Sequence, residues 1–520
     1  MTMPRKDILI GIDAGTSVIK SVAFDTAGRQ LAVASVKNAY TITPDGGAAQ
    51  DMRKTWFDCV TTLLSLGNEI DNLAQRVLGI SVTAQGDGTW LVGRENAPIT
   101  EGWIWLDARS APLVDQMRNT DADQARYAIT ATGLNCCQMG AQMAYMDRAM
   151  PDLLDQAETA LHPKDWLFLN LTGVRASDPS EAVFTFGNYK TRAYDDQVLD
   201  ALGLAHRKAL LPPIIDGSKT TFQLTQDAAS QTGLLSGTPV SLGFVDVMCT
   251  ALGAGIIGNN ETAGCTIVGS TGMHMKACSV ENVTLNSDLT GYVMQLPIDG
   301  MVAQIQSNMA STLNIDWLLG VAQKLMSEFG AVVSHADLVA RLDHWIATSE
   351  LGQILYHPYI SDAGERGPFV DARARASFTG LRQAHEFGDL VCAVVEGLGL
   401  AARDCYDAMG ERPKEIRLTG GAARSDKLRE IFSAALGRPV RRSMREEAGA
   451  AGAAMMAAVA NGVYRDMNAC IAEWVTPHLS EAEAPNDTLA ETYDALMPSY
   501  RHVRRHSDLV WNHLAKREDS

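Results

Sequence analysis

The sequence predicts an α/β fold made of two similar halves, and three observations carry that prediction. Short apolar runs that read as strands alternate with longer segments whose apolar residues recur at helical spacing. An apolar strand, a turn of small hydroxyl-bearing residues and a second apolar strand occur at "ILIGIDAGTSVIKSVAFD", and the same layout returns at "GCTIVGSTGMHMKAC". Finally, 520 residues are too many for one hydrophobic core, so two domains are expected.

The elements follow in order. "ILIGID", "VIKSVAF" and "LAVASV" read as three consecutive strands, with Thr26–Gly28 as the second turn. "TWFDCVTTLLSLGNEI" has a helical period, and "VLGISVTA" is a buried strand. "GTPVSLGFVDVMCTALGAGI" runs a strand into a helix of small residues, and the recurrence after it puts a boundary at Ala254. The division is therefore 1–254 and 255–520. Further on, "IRLTGGAARSDKLREIF" reads as strand, Gly-Gly turn and helix. "EEAGAAGAAMMAAV" is a helix so rich in small residues that another element must pack on its backbone. The final "SYRHVRRHSDLVWNHLAKRED" reads as one polar amphipathic helix whose basic cluster is a solvated face.

Bulk properties narrow the function. Hydrophobic residues make up 46% and charged residues 20%, an ordinary globular composition. A net charge of -17 argues against nucleic acid or an anionic membrane as partner. Nine cysteines without a CxxC pair read as reduced thiols in a cytoplasmic protein, with the adjacent Cys136 and Cys137 read as packing. No signal peptide is read before Ile8 and no transmembrane run is found, so the chain is expected to be soluble.

Candidate chemistry gathers at a few turns. Asp13 ends a buried strand and precedes Gly15, Thr16 and Ser17, which suits either a plain hairpin or a site. Small residues let backbone N–H groups approach an oxyanion, and the two hydroxyls can donate as well. Lys20 adds a charge or points to solvent. Gly269, Ser270, Thr271 and Gly272 repeat this logic, and Gly420 and Gly421 lead to Ser425 at a helix start, where an anion is favoured. Neither GxxxxGK[ST] nor GxGxxG is present, so a different phosphate-handling fold is required. Asp246 lies where a strand meets a helix: it is an N-cap or a group at a ligand-binding sheet edge. Gln85 and Asp87 follow a buried strand. In "GWIWLDARS", strand alternation puts Trp103, Trp105, Asp107 and Arg109 on one face, which suits a polyhydroxylated ligand. The alternative is an Asp–Arg pair beside two core tryptophans.

The order of these motifs, from Asp7 to Gly462, resembles the FGGY family of carbohydrate kinases. It is carried by "GIDAGTSVIKSVAFD", "GGAAQDMRKTWFDCV", "ISVTAQGDG", "LHPKDWLFLNLTGVRASDPS", "GFVDVMCTALGAG", "GSTG", "YISDAGERGPFVDARARASFTGL" and "IRLTGGAARSDKLREIFSAALGRPV". The resemblance implies a two-domain actin-like ATPase (ribonuclease H-like) fold closing over ATP and Mg²⁺. It implies Asp246 as catalytic base and Asp13 as the organiser of the metal. Gly15, Thr16, Ser17, Lys20 and Gly269–Gly272 would hold phosphates, and Gly420, Gly421 and Ser425 the adenosine end. Gln85, Gly86, Asp87, Trp105, Asp107 and Arg109 match positions at or near the sugar pocket. The pair Gly86-Asp87 replaces the Met-His of pentulose kinases and the Arg-Glu of glycerol kinases, leaving room for a longer polyol. "CCQMGAQM" also departs from the family pattern and offers Gln138 or Gln142 as further contacts. The implied partner is a small-molecule polyol or sugar, erythritol first, with a pentulose or glycerol as alternatives and a homodimer among the assemblies allowed. A catalytically silent sugar or ATP sensor on the same fold is the reading from another class.

Overall fold

The computed structural model describes residues 6–258 and 261–518. Two six-stranded sheets form its framework. The first contains β1 (Ile8–Ala14), β2 (Val18–Asp25), β3 (Gln30–Lys37), β4 (Val77–Ala84), β5 (Phe222–Gln223) and β6 (Pro239–Leu242), in the order β5-β6-β4-β1-β2-β3. The second contains β7 (Gly264–Val268), β8 (Gly272–Ser279), β9 (Tyr292–Gln295), β10 (Met301–Asn308), β11 (Ile416–Thr419) and β12 (Val440–Arg442), in the order β9-β10-β8-β7-β11-β12.

The sheets share one design. β1 pairs antiparallel with β2 and parallel with β4, and β7 pairs antiparallel with β8 and parallel with β11. Each sheet is thus a meander continued by parallel strands, the actin-like ATPase arrangement. Six of the seven residues of β1 are buried, because helices cover both faces. Ile8, Ile10 and Ile12 meet Cys59 and Leu63 of α1 (Met52–Glu69) and Leu167 of α2 (Pro163–Thr172). Leu9 faces the other way, into a cluster with α4 (Asp246–Ala254) and α8 (Ala448–Ala460). The short α3 (Pro179–Phe186) lies beside β9.

α4 and α8 lie between the sheets and explain the run of alanines and glycines. A Cβ on Gly11 of β1 would overlap the carbonyl oxygen of Ala450, and one on Gly452 would overlap that of Cys249. Only glycine permits these backbone-to-backbone contacts. They bring the starts of both helices close to the end of β1.

Outside the second sheet, α5 (Thr312–Glu328), α6 (Phe387–Ala408), α7 (Asp426–Leu436) and α9 (Asp487–His506) form a third apolar cluster. Here the expectation for the C-terminal basic stretch is corrected. It is two helices, α9 and α10 (Asp508–Glu518), broken at Ser507, while Asp519 lies outside the described residues. Arg501 donates to Asp404 of α6 at 2.8 Å, and Arg504 reaches the other oxygen of Asp404 at 2.5 Å. Tyr493, Met497 and Tyr500 bury the same side of α9. A nearly buried aspartate on α6 required cationic partners, so Arg501 and Arg504 turn inward, while His502, Arg505 and His506 stay exposed as expected. Among the described residues, no helix is long and apolar enough to cross a membrane.

Candidate active site

The first turn is built around Thr16. Its hydroxyl donates to Oε1 of Gln85 at 2.6 Å and accepts from the indole N–H of Trp105 at 2.9 Å. Gln85 in turn donates to Gln50 at 2.6 Å, and Gln50 closes the ring by donating to the Thr16 carbonyl at 3.0 Å. The Thr16 proton is therefore committed to Gln85, and the network sets the wall of the cavity. Lys20 sits opposite Asp13 in the strand register, but its ammonium pairs with Glu447 at 2.8 Å. Ser17 is exposed at the turn. The second turn is anchored through its carbonyls, Ser270 accepting from Ser311 N at 2.7 Å and Gly269 from Thr312 N at 2.9 Å.

Asp246 occupies the first position of α4, with Val245 as the capping residue. Among the described residues its carboxylate accepts only the adjacent Val247 N–H, at 2.6 Å, so it is no conventional cap. The junction before it is fixed on both sides. Thr83 of β4 donates to the Phe244 carbonyl at 2.5 Å, and Val245 N–H donates to Ser180 Oγ at 2.9 Å.

Ser180 belongs to a buried charge cluster. The fully buried Lys164 ammonium lies 2.6 Å from Asp178, 2.6 Å from Glu181 and 2.7 Å from Asp165, with His162 a further 3.1 Å from Asp165. Asp178 takes the Ser180 hydroxyl and amide, while Glu181 accepts the Asp87 amide at 2.9 Å. Asp87 is left-handed at φ 61, a conformation that a non-glycine residue holds only under constraint. One buried lysine thus supports both the Asp246 junction and the Asp87 loop. His162, Asp165 and Glu181 have metal-ligand spacing, but Lys164 already supplies their cation.

The Asp246 junction and the Asp87 loop face a cavity of about 250 Å³. Thr16, Gln85, Gly86, Asp87, Trp105 and Cys137 line it from the first sheet's side, Asp246 from α4, and Thr271, Tyr292 and Arg366 from the other side. Two of its lining acids, Asp87 and Asp246, and the neighbouring Asp13 are perturbed. Burial lifts Asp13 to about 6, with Lys20 opposing and Glu447 adding to the rise. Burial, then the charge of Asp13, pushes Asp246 well above the usual carboxylate range. Burial also raises Asp87. Neighbouring carboxylates that repel one another are the donor set a divalent cation requires. A Cβ on Gly449 would overlap the Asp13 carboxylate, so this glycine keeps space free for it. Asp13 and Asp246 therefore fit Mg²⁺.

The structure corrects the reading of "GWIWLDARS". The strand ends at Trp103, and the Asp107 amide turns back to the Ile104 carbonyl at 3.0 Å, so the alternation is lost. Asp107 is fully buried, accepts Ala48 N–H at 2.8 Å and pairs with Arg109 at 2.5 Å. Arg109 stacks 3.4 Å over the Trp103 ring. That trio is a staple outside the cavity, and Trp105 alone reaches its wall. Gln138 braces its own loop, accepting from Asn135 N–H at 3.1 Å and donating to Gly133 at 2.8 Å. Gln142 binds Thr89 and the Ile104 carbonyl. Cys137, read as packing, lines the cavity and donates to Asp87 at 3.3 Å. Gly420, at φ 97, passes against Val268 at the end of β7, beside the second turn. Gly421 has open space around it, and Ser425 caps α7 by accepting Leu428 N–H at 3.0 Å. The motif reading missed Gln50, Lys164, Tyr292 and Arg366, although three of them sit inside quoted motifs.

Comparison with known proteins agrees with this geometry. The N-terminal domain of the FGGY family of carbohydrate kinases matches residues 8–253, and its C-terminal domain matches residues 266–461. An erythritol kinase of Brucella abortus is 58% identical over 511 residues, covering 98% of both chains. An L-xylulose/3-keto-L-gulonate kinase of Escherichia coli is 24% identical over 95% of this chain and 96% of its own. Among solved structures, a ligand-bound xylulose kinase from Lactobacillus acidophilus superposes with a TM-score of 0.87 at 22% identity, covering 98% of this chain and 99% of that one. A Plasmodium falciparum glycerol kinase with ADP gives 0.81 at 16% identity, covering 96% and 98%. With both halves matched in order along one actin-like framework, the chain belongs to the FGGY family of carbohydrate kinases.

Proposed function

We propose that the enzyme transfers the γ-phosphoryl group of ATP to a terminal hydroxyl of erythritol. The full-length similarity to an erythritol kinase carries this reading. The cavity supports it: Asp87 and Gln85 offer oxygens for polyol hydroxyls, and Gly86 adds no side chain to the wall. Asp246 is the base. As the hydroxyl oxygen bonds to phosphorus and the bridge to ADP breaks, its proton passes to the Asp246 carboxylate. Backbone amides of Thr16 and Ser17 in the first turn and of Ser270 and Thr271 in the second meet the transferring charge. Mg²⁺, when bound, neutralises phosphate oxygens, and Asp13 is its organiser. Gly420, Gly421 and Ser425 lie toward the adenosine end. Nine free thiols suit a cytoplasmic enzyme, and we place the division between its domains at Ala254.

Coupled ADP release over erythritol, glycerol, xylitol, xylulose and ribulose tests the substrate. Erythritol is expected to give the highest kcat/KM, and a higher value with glycerol or a pentulose overturns the assignment. The base also fixes a pH dependence. A carboxylate raised by burial and by Asp13 is protonated at the acid end, so kcat/KM falls about tenfold per pH unit below its pKa. Because the charge of Asp13 contributes to that rise, higher Mg²⁺ moves the acid limb to lower pH. Profiles at two Mg²⁺ concentrations with superposable limbs contradict the pairing of Asp13 with Asp246.

A further inference from the structure

Arg366 is the cation of the cavity that no sequence motif had assigned to a ligand. Its backbone is pinned to β10. Glu365, buried, accepts the amides of Met309 at 2.9 Å and Arg366 at 2.8 Å, while Asn308 donates to the Gly367 carbonyl at 2.8 Å. The Pro368 carbonyl accepts from Thr290 at 3.0 Å. From this fixed stem Arg366 reaches the cavity that Asp87, Cys137 and Tyr292 also line.

Two buried polar atoms of the residues lining this cavity lack hydrogen-bond partners among the described residues: Nε of Arg366 and Oδ1 of Asp87. One is a donor and the other an acceptor, and no ion pair joins the two side chains among those residues. The other Asp87 oxygen is already taken by Cys137. Burying such groups unpaired is costly, so their arrangement calls for a ligand that both donates and accepts. A polyol hydroxyl does both.

Arg366 also lines a second cavity, of about 410 Å³, whose walls include neither Asp246 nor the two phosphate turns. It therefore marks the end of the polyol site remote from phosphoryl transfer. It comes from the second half of the chain and Asp87 from the first, so a polyol between them ties the halves together.

We propose that Arg366 is a polyol-binding, specificity-determining residue that donates to the hydroxyl oxygens at the substrate's remote end while Asp87 accepts from the same end. This rests on the polyol-kinase reading above. On this assignment a four-carbon polyol held at Asp246 gains the Arg366 contact that a three-carbon one lacks.

The test is Arg366→Met beside Arg366→Lys and the wild type, with steady-state kinetics on erythritol, glycerol and ATP. Arg366→Met is expected to raise KM for erythritol about 10- to 100-fold, the loss of a charged hydrogen bond, with Arg366→Lys in between. KM for ATP and kcat/KM for glycerol should stay within about threefold of the wild type. The erythritol-induced rise in unfolding temperature should also shrink in the methionine variant. An unchanged KM for erythritol, or equal losses on erythritol, glycerol and ATP, overturns the proposal. Should Arg366→Met fail to fold, Arg366→Lys and Arg366→Gln, which keep a donor, carry the same comparison. Wild-type enzyme inactive on erythritol would fail the substrate assignment instead, a separate result.

Discussion

Asp246→Asn should lower kcat by about a thousandfold or more while ATP still binds, because a positioned base contributes on the order of 10² to 10⁴. Asparagine keeps the size of the side chain and can still accept the Val247 N–H, but it cannot take the proton of an attacking hydroxyl. The fold should gain from the change. A carboxylate whose folded pKa is raised adds stability below its unfolded pKa and loses it as pH rises through the folded value. At pH 8, well above the unfolded pKa, the raised pKa of Asp246 therefore costs stability, and the variant should unfold at a higher temperature than the wild type. At pH 4 the wild-type group is protonated and the two should converge. Initial rates with saturating erythritol and ATP, ADP binding by calorimetry, and thermal unfolding at both pH values check this. Near-normal turnover would remove Asp246 from the chemistry. Lost turnover with lost stability at pH 8 would make it a structural residue.

The sequence made local features legible and distant pairings illegible. The β1–β2 and β7–β8 hairpins could be read because a strand, a small-residue turn and a strand are encoded within a short stretch. The small residues of α8 announced a close neighbour, and the structure supplies it in β1 and α4. "GWIWLDARS" misled because alternation is necessary for a strand but not sufficient: Asp107 found Ala48 and Arg109, and the chain turned. Arg501 and Arg504 looked solvated because their partner Asp404 lies far away in sequence, on another helix. Arg366 and Lys164 stand in motifs that gave the family away, yet what each does depends on groups brought to it by the fold.

Lys164 carries the other large expected effect. Its ammonium is the close cation shared by Asp165, Asp178 and Glu181, all of them buried. Lys164→Met leaves three carboxylates with only His162 to compensate, and breaking a buried ion cluster by removing one partner costs about 3–5 kcal/mol. The unfolding midpoint at pH 7.5 should therefore fall sharply. The sign of the pH response separates this cause from poor packing. Without the ammonium the carboxylates favour their protonated forms, so the deficit should narrow as pH drops toward 5, whereas a packing defect would persist. Adding Glu181→Gln should recover part of the loss, a coupling that independent sites would not show. Activity at permissive temperature should fall as well, because Glu181 holds the Asp87 amide and Asp178 holds Ser180 against the junction before Asp246. A midpoint at pH 7.5 close to that of the wild type would mean that the cluster is neither the support of the fold nor that of the catalytic loop.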